Sequence, residues 1–120
     1  MLRTKSIQAP KEAGDDIRIS IMRKPRGDYD MLISALAPCE SLLNSYHENE
    51  MSWDEFEREF LLEMDNNPDS KRMMQFLITI AEIVDVTILC WEEDPEKCHR
   101  RLIVGLITKM SNNKTKIMIA

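Results

Sequence analysis

Val86-Thr87-Ile88-Leu89-Cys90 is a β-branched, apolar run without polar alternation, closed by the acidic stretch Glu92-Glu93-Asp94. A strand apolar on both sides needs cover on both faces, as strands of parallel sheets have. After the acidic loop and Pro95, Cys98-His99-Arg100 opens a helical pattern. A strand, a loop and a helix start in succession place chemistry at the carboxyl edge of a sheet in α/β proteins.

The remaining chain supplies the other elements. Ile17, Ile19 and Ile21 alternate with polar residues, which predicts a strand over 17–22. Arg23-Lys24-Pro25-Arg26-Gly27 ends it, gathering three cations in one loop. Leu2 to Gln8 reads as a short edge strand and Ile117-Met118-Ile119 as a last, peripheral one. Between Asp28 and Leu36, Met31, Leu32 and Leu36 suit a helical turn. Pro38 starts a helix that ends at His47-Glu48-Asn49. Ser52-Trp53-Asp54-Glu55 is a capping box opening a helix with Phe56, Phe60, Leu61 and Met64 on its apolar stripe. Asn66-Asn67-Pro68-Asp69 closes that helix and caps the next, whose stripe is Met73, Phe76, Leu77, Ile80, Ala81 and Val84. Leu102, Ile103, Leu106, Ile107 and Met110 face the final helix inward.

Strands separated by helices imply one α/β domain over residues 1–120, with a small, at least partly parallel sheet of about three to four strands. If the strands ending at Met22 and Cys90 run parallel, their carboxyl ends share one edge. The Arg23–Gly27 loop then lies beside the Cys98-His99-Arg100 helix start.

Charge and composition narrow the partners. A net charge of −5 argues against a nucleic-acid partner, whose binders are normally basic. No apolar run approaches the roughly 20 residues of a membrane span. Met1-Leu2-Arg3-Thr4-Lys5-Ser6 lacks the apolar core of a secretory signal, and the three cysteines are irregularly spaced. The expectation is a cytoplasmic protein with free thiols. A homo-oligomer stays open, and no cofactor is specified.

Cys98 in the first turn of a helix, beside His99 and Arg100, meets unpaired N–H groups and cationic neighbours that favour a thiolate or a bound anion. Arg23 and Arg26 add fork-shaped donors from the other loop. The leading expectation is therefore a small anionic ligand, of phosphate or nucleotide type, bound by Arg23, Arg26 and Arg100, with Cys90 bordering the site. Two alternatives stand beside it. One is an enzyme using Cys98 as nucleophile or redox centre, His99 as proton carrier and Glu92 as orienter. The other is an interaction protein in which these residues only stabilise the turn. Glu92 suits general acid–base work or an ion pair with Arg100 or Arg23. Cys90 suits a small buried hydrophobe, or a redox partner of Cys98 if the loop folds back. Trp53 falls on a core stripe; Trp91, beside the polar loop, is open to a ligand.

Two sharper readings fail on spacing. The phosphate cradle of cysteine phosphatases and sulfur transferases is incompatible with an acidic loop after Cys90. A zinc site from Cys90, Cys98 and His99 is not expected either, because adjacent residues on a helix point in different directions.

Cys90-Trp91-Glu92-x-x-Pro95-x-x-Cys98-His99-Arg100 resembles the signature of the family called domain of unknown function 488. Thr4-Lys5-Ser6, Ile19 through Arg23-x-Pro25-Arg26-Gly27, Leu36-Ala37-Pro38 and Trp53-x-x-Phe56 with Glu63-Met64 are similar to its short branch. The resemblance implies a compact α/β domain of cytosolic, prokaryotic type, with a cleft where the arginine–proline loop meets the cysteine–histidine–arginine helix start. It implies no particular activity. Met22 stands where family members often carry an acid, and Cys39 where serine is common.

Overall fold

The computed structural model describes residues 1–94, 97–112 and 114–118. In order, the elements are β1 (Leu2–Ser6), a 3-10 turn (Ala13–Asp15), β2 (Ile17–Ser20), β3 (Met31–Leu32) and a second 3-10 turn (Ser34–Leu36). They continue with α1 (Glu40–His47), α2 (Trp53–Asn66), α3 (Pro68–Ala81), β4 (Val86–Cys90), α4 (His99–Met110) and β5 (Ile117–Met118). The strands form one sheet in the order β3-β2-β4-β1-β5, and every pairing is parallel. The α/β architecture read from the sequence is present, with β4 at its centre and buried along its whole length.

Three expectations are corrected. Met31–Leu32 is a strand rather than a helical turn, because it pairs with Ile19 and Ser20; a two-residue segment carries too little pattern to show this. β1 is interior, between β4 and β5, not an edge. Of the stripe expected for α3, Leu77 and Ala81 are buried and Met73, Ile80 and Val84 pack partly buried against the core, but Ser70, Met74 and Ile78 complete the buried face and Phe76 is 37% exposed. The Ser70 hydroxyl donates to the Ala35 carbonyl and turns that face inward. Pro95 and Glu96 of the acidic loop, Asn113 of the last turn and Ile119 of the last strand lie outside the described residues.

Strand register explains how both faces of β4 are covered. Residues opposite one another in a parallel pair share a face. Leu2 with Val86, Thr4 with Ile88 and Ser6 with Cys90 form one; Arg3 with Thr87 and Lys5 with Leu89 form the other, joined there by Arg18. The second face is capped by the segment before β2, and Asp15 collects three strands at once. Its carboxylate accepts from Lys5 of β1 at 3.0 Å and from Arg18 of β2, and its carbonyl accepts from Thr87 of β4 at 2.8 Å. Burial works to raise the Asp15 carboxyl, but Lys5, the Glu12 N–H and Arg18 outweigh it and hold it below its ordinary value of 3.8.

The helices begin where capping chemistry allows. Ser52 Oγ accepts from the Glu55 N–H at 3.2 Å, and its hydroxyl is within 3.2 Å of Glu55 Oε1. Asn67 Oδ1 accepts from the Asp69 and Ser70 N–H groups, with Pro68 in the first turn of α3. α3 and α4 pack on β4 and on each other, and α2 packs against both. Among the described residues no helix is long and apolar enough to cross a membrane.

Candidate functional site

Because β2 and β4 are parallel neighbours, their carboxyl ends open onto the same edge. The Ile21 N–H donates to the Leu89 carbonyl at 3.0 Å, carrying the ladder one step past β2. At that edge His99, the first residue of α4, brings ring Nε2 to 2.7 Å from the Ile21 carbonyl oxygen. The early cationic loop and the late helix start therefore meet. Arg23, Lys24, Arg26, Trp91, Glu92 and His99 line one cleft of about 200 Å³ together with Glu40 and His47 of α1, which lie 3.7 Å from Lys24 and 3.9 Å from Glu92 respectively.

The cations differ in what holds them. Arg23 is anchored: Nε donates to the Pro38 carbonyl at 3.1 Å, and Nη2 donates to the Ala37 and Pro38 carbonyls at 3.1 and 2.9 Å. It ties its loop to the chain just before α1. Arg26 sits over the Trp91 ring, its Cζ 3.4 Å from the ring centroid. Lys24 is exposed and 3.7 Å from Glu40. Gly27 closes the loop at φ 84°, where a Cβ would stand 2.7 Å from Ile7 Cδ1.

Arg100 is placed differently from the expectation that it neutralises a ligand. It is fully buried and does not line the cleft. Its Nη1 donates to the Glu92 carbonyl at 2.6 Å and lies 3.2 Å from Cys90 Sγ, while Nη2 donates to the Glu93 carbonyl at 3.4 Å. Arg100 thus fixes the acidic loop from beneath through backbone carbonyls. Burial draws its guanidinium below the ordinary arginine value, against the pull of Glu92 and Asp94.

Cys98 is the N-cap of α4, not a first-turn residue, with extended φ −137° and ψ 143° and no side-chain cap bond. That backbone frees it from helical spacing, so its side chain and that of His99 turn to the same place. The ligand atoms of Cys90, Glu92, Cys98 and His99 all lie within 4.8 Å of one another. Cys90 and Cys98 are joined as a disulfide, where free thiols were expected; Cys39 is free and exposed. The end of a central strand and the start of the following helix bring the pair together. Glu92 Oε2 is 3.4 Å from Cys98 Sγ and 3.6 Å from Cys90 Sγ. Both cysteines are buried and neither lines the cleft. Burial lowers the His99 pKa from 6.5 and outweighs the Ile21 carbonyl and Glu92, so the ring is held neutral near pH 7.

Residues 2–111, from β1 past the end of α4, match the family DUF488-N3a, described as the active DUF488-N3 subclade. The chain belongs to the DUF488-N3a family. Both loops of the cleft fall inside the matched DUF488-N3a region, and β5 falls outside it. No curated protein and no solved structure matches the chain.

In this DUF488-N3a domain Arg23, Arg26, Glu92 and His99, singled out from the sequence, line the cleft, as does Trp91; Lys24 counts in the loop without being singled out, and Glu40 and His47 are not expected there. Lys24 sits inside the cationic run that signalled the loop. Glu40 and His47 carried no signal, because only the packing of α1 against the loop brings them in. Chemically, the cleft offers two guanidiniums, an ammonium, a buried imidazole and one flat indole face, with Glu40 and Glu92 as counter-charges.

Proposed function

We propose that this chain binds a small anion of phosphate or phosphoryl type in the cleft between the Arg23–Gly27 loop and the Cys98-His99 helix start. The observation that carries the reading is the gathering of Arg23, Lys24 and Arg26, all from one loop, in the lining of a cleft at the sheet's carboxyl edge, in a chain of net charge −5. Such an edge, where βα loops converge, is where α/β sheets hold ligands. Arg23 is already held in place by the Ala37 and Pro38 carbonyls, so less side-chain entropy is lost on binding.

Size favours the smaller ligand. About 200 Å³ is below the roughly 300–1,000 Å³ of pockets that swallow a drug-sized molecule. A nucleotide would seat a phosphate here and leave its base outside. The cytoplasmic setting expected from the sequence, where phosphate esters abound, belongs to the same proposal. A cysteine-dependent enzyme has less support, since Cys98 is 1% exposed and outside the cleft lining.

A thermal-shift series with inorganic phosphate, pyrophosphate and nucleotides tests the reading. Phosphate at a hundred times its dissociation constant adds about 2.7 kcal/mol. No shift with any of these anions overturns the proposal and leaves a protein whose loop cluster only stabilises the turn.

A further inference from the structure

We infer that the reduced form of this protein holds one thiophilic divalent cation, zinc(II) by preference, on Cys90, Cys98, His99 and Glu92. The inference stands apart from the anion reading. It starts from the convergence of four ligand atoms of mixed sulfur, nitrogen and oxygen type within 4.8 Å of one another. Two thiolates, an imidazole and a carboxylate are a tetrahedral zinc set. The set is pre-organised, since each side chain is delivered by the end of β4, the loop after it, or the cap and first residue of α4.

The surroundings are those of a metal site. A ligating histidine usually gives its other ring N–H to a backbone carbonyl. His99 Nε2 lies 2.7 Å from the Ile21 carbonyl oxygen, which makes Nε2 the protonated nitrogen and leaves the Nδ1 lone pair for coordination. Arg100 Nη1, 3.2 Å from Cys90 Sγ, is a cationic donor that favours the thiolate. The Cα–Cα separation of Cys90 and Cys98 is 7.5 Å. Ordinary disulfides span roughly 4.4–6.8 Å, whereas two thiolates on one tetrahedral ion reach wider. Burial of both cysteines fits ligands better than nucleophiles.

Disulfide and metal forms exclude each other, so the site is also redox-gated. A dithiol reductant transfers two electrons to the Cys90–Cys98 bond; the S–S bond breaks, two thiols form and the reductant leaves as its own disulfide. Metal binding then releases the two thiol protons. Glu92 and His99 line the cleft, which puts the bound ion at its floor.

Cobalt(II) added to the reduced full chain in phosphate-free buffer tests this. The expected result is one equivalent bound, with thiolate-to-cobalt charge-transfer absorption and strong tetrahedral visible bands that zinc(II) bleaches. Protein oxidised with diamide gives none. Cys98→Ser loses the charge-transfer bands, Cys39→Ser keeps them, and Glu92→Gln keeps them while shifting the visible bands. Reduced wild-type protein that is folded by circular dichroism yet shows no bands overturns the inference. So do bands that survive in Cys98→Ser.

Discussion

Ring Nε2 of His99 stands 2.7 Å from the carbonyl oxygen of Ile21, a bond between residues 78 apart in sequence. It clamps the start of α4 to the end of β2, and both loops of the cleft hang from that clamp. His99→Ala leaves a buried carbonyl without its donor and opens a void beside Phe60, whose ring centroid is 5.8 Å from that of His99. The expected cost is about 1–3 kcal/mol, read as a lowered urea midpoint. An unchanged midpoint means the clamp contributes nothing.

Asp15 does the corresponding work on the other face of the sheet. Its carboxyl is depressed in the folded protein, so the unfolded chain binds the extra proton first as pH falls. The stability it contributes is complete above pH 3.8 and is lost as pH drops through the lower folded value. Asp15→Asn removes that part of the acid limb. It also strands Arg18, which is 2% exposed, at about 3–5 kcal/mol near neutral pH. Urea melts of both proteins across the acid range check the two effects together; parallel curves contradict them.

Much of this arrangement was legible in the chain. The unalternating Val86–Cys90 run called for cover on both faces of β4, and the Ile17-Ile19-Ile21 alternation with three cations after it located the facing loop. What was not legible depends on distant pairing. Met31–Leu32 is a strand only because Ile19 and Ser20 offer it an edge, and Arg3 and Lys5 sit inside the sheet only because Gly14 and Asp15 receive them. Arg100 reads as a ligand group in sequence, but the Glu92 and Glu93 carbonyls take it. The extended backbone at Cys98, which sets its side chain beside His99, has no sequence signal in a residue that normally would not cap.

Gly27 is held at φ 84° with Ile7 pressed against its missing side chain. Gly27→Ala forces the left-handed region on a residue with a Cβ and pushes Ile7 aside, at about 1–2 kcal/mol. The check is the change in thermal midpoint together with the phosphate shift, since the same strain moves the cationic loop. A variant as stable as wild type contradicts the tight approach.

Arg23 and Arg26 separate binding from scaffolding. Arg26→Ala removes an exposed cation on Trp91, and is expected to weaken phosphate about tenfold, or 1.4 kcal/mol, while costing under about 1 kcal/mol of stability. Arg23→Ala weakens phosphate as well and costs about 1–3 kcal/mol more, because the Ala37 and Pro38 carbonyls lose their donor. Calorimetric titration beside urea melts resolves the two. Equal stability losses would place the scaffold elsewhere.

Amide and indole resonances of the uniformly labelled chain, followed during a titration with inorganic phosphate, report most directly on whether the cleft holds an anion. Shifts that saturate and cluster at Arg23, Lys24, Arg26, the Trp91 indole and His99 are the predicted result. Resonances that stay still, or that move only at surfaces remote from those residues, contradict it.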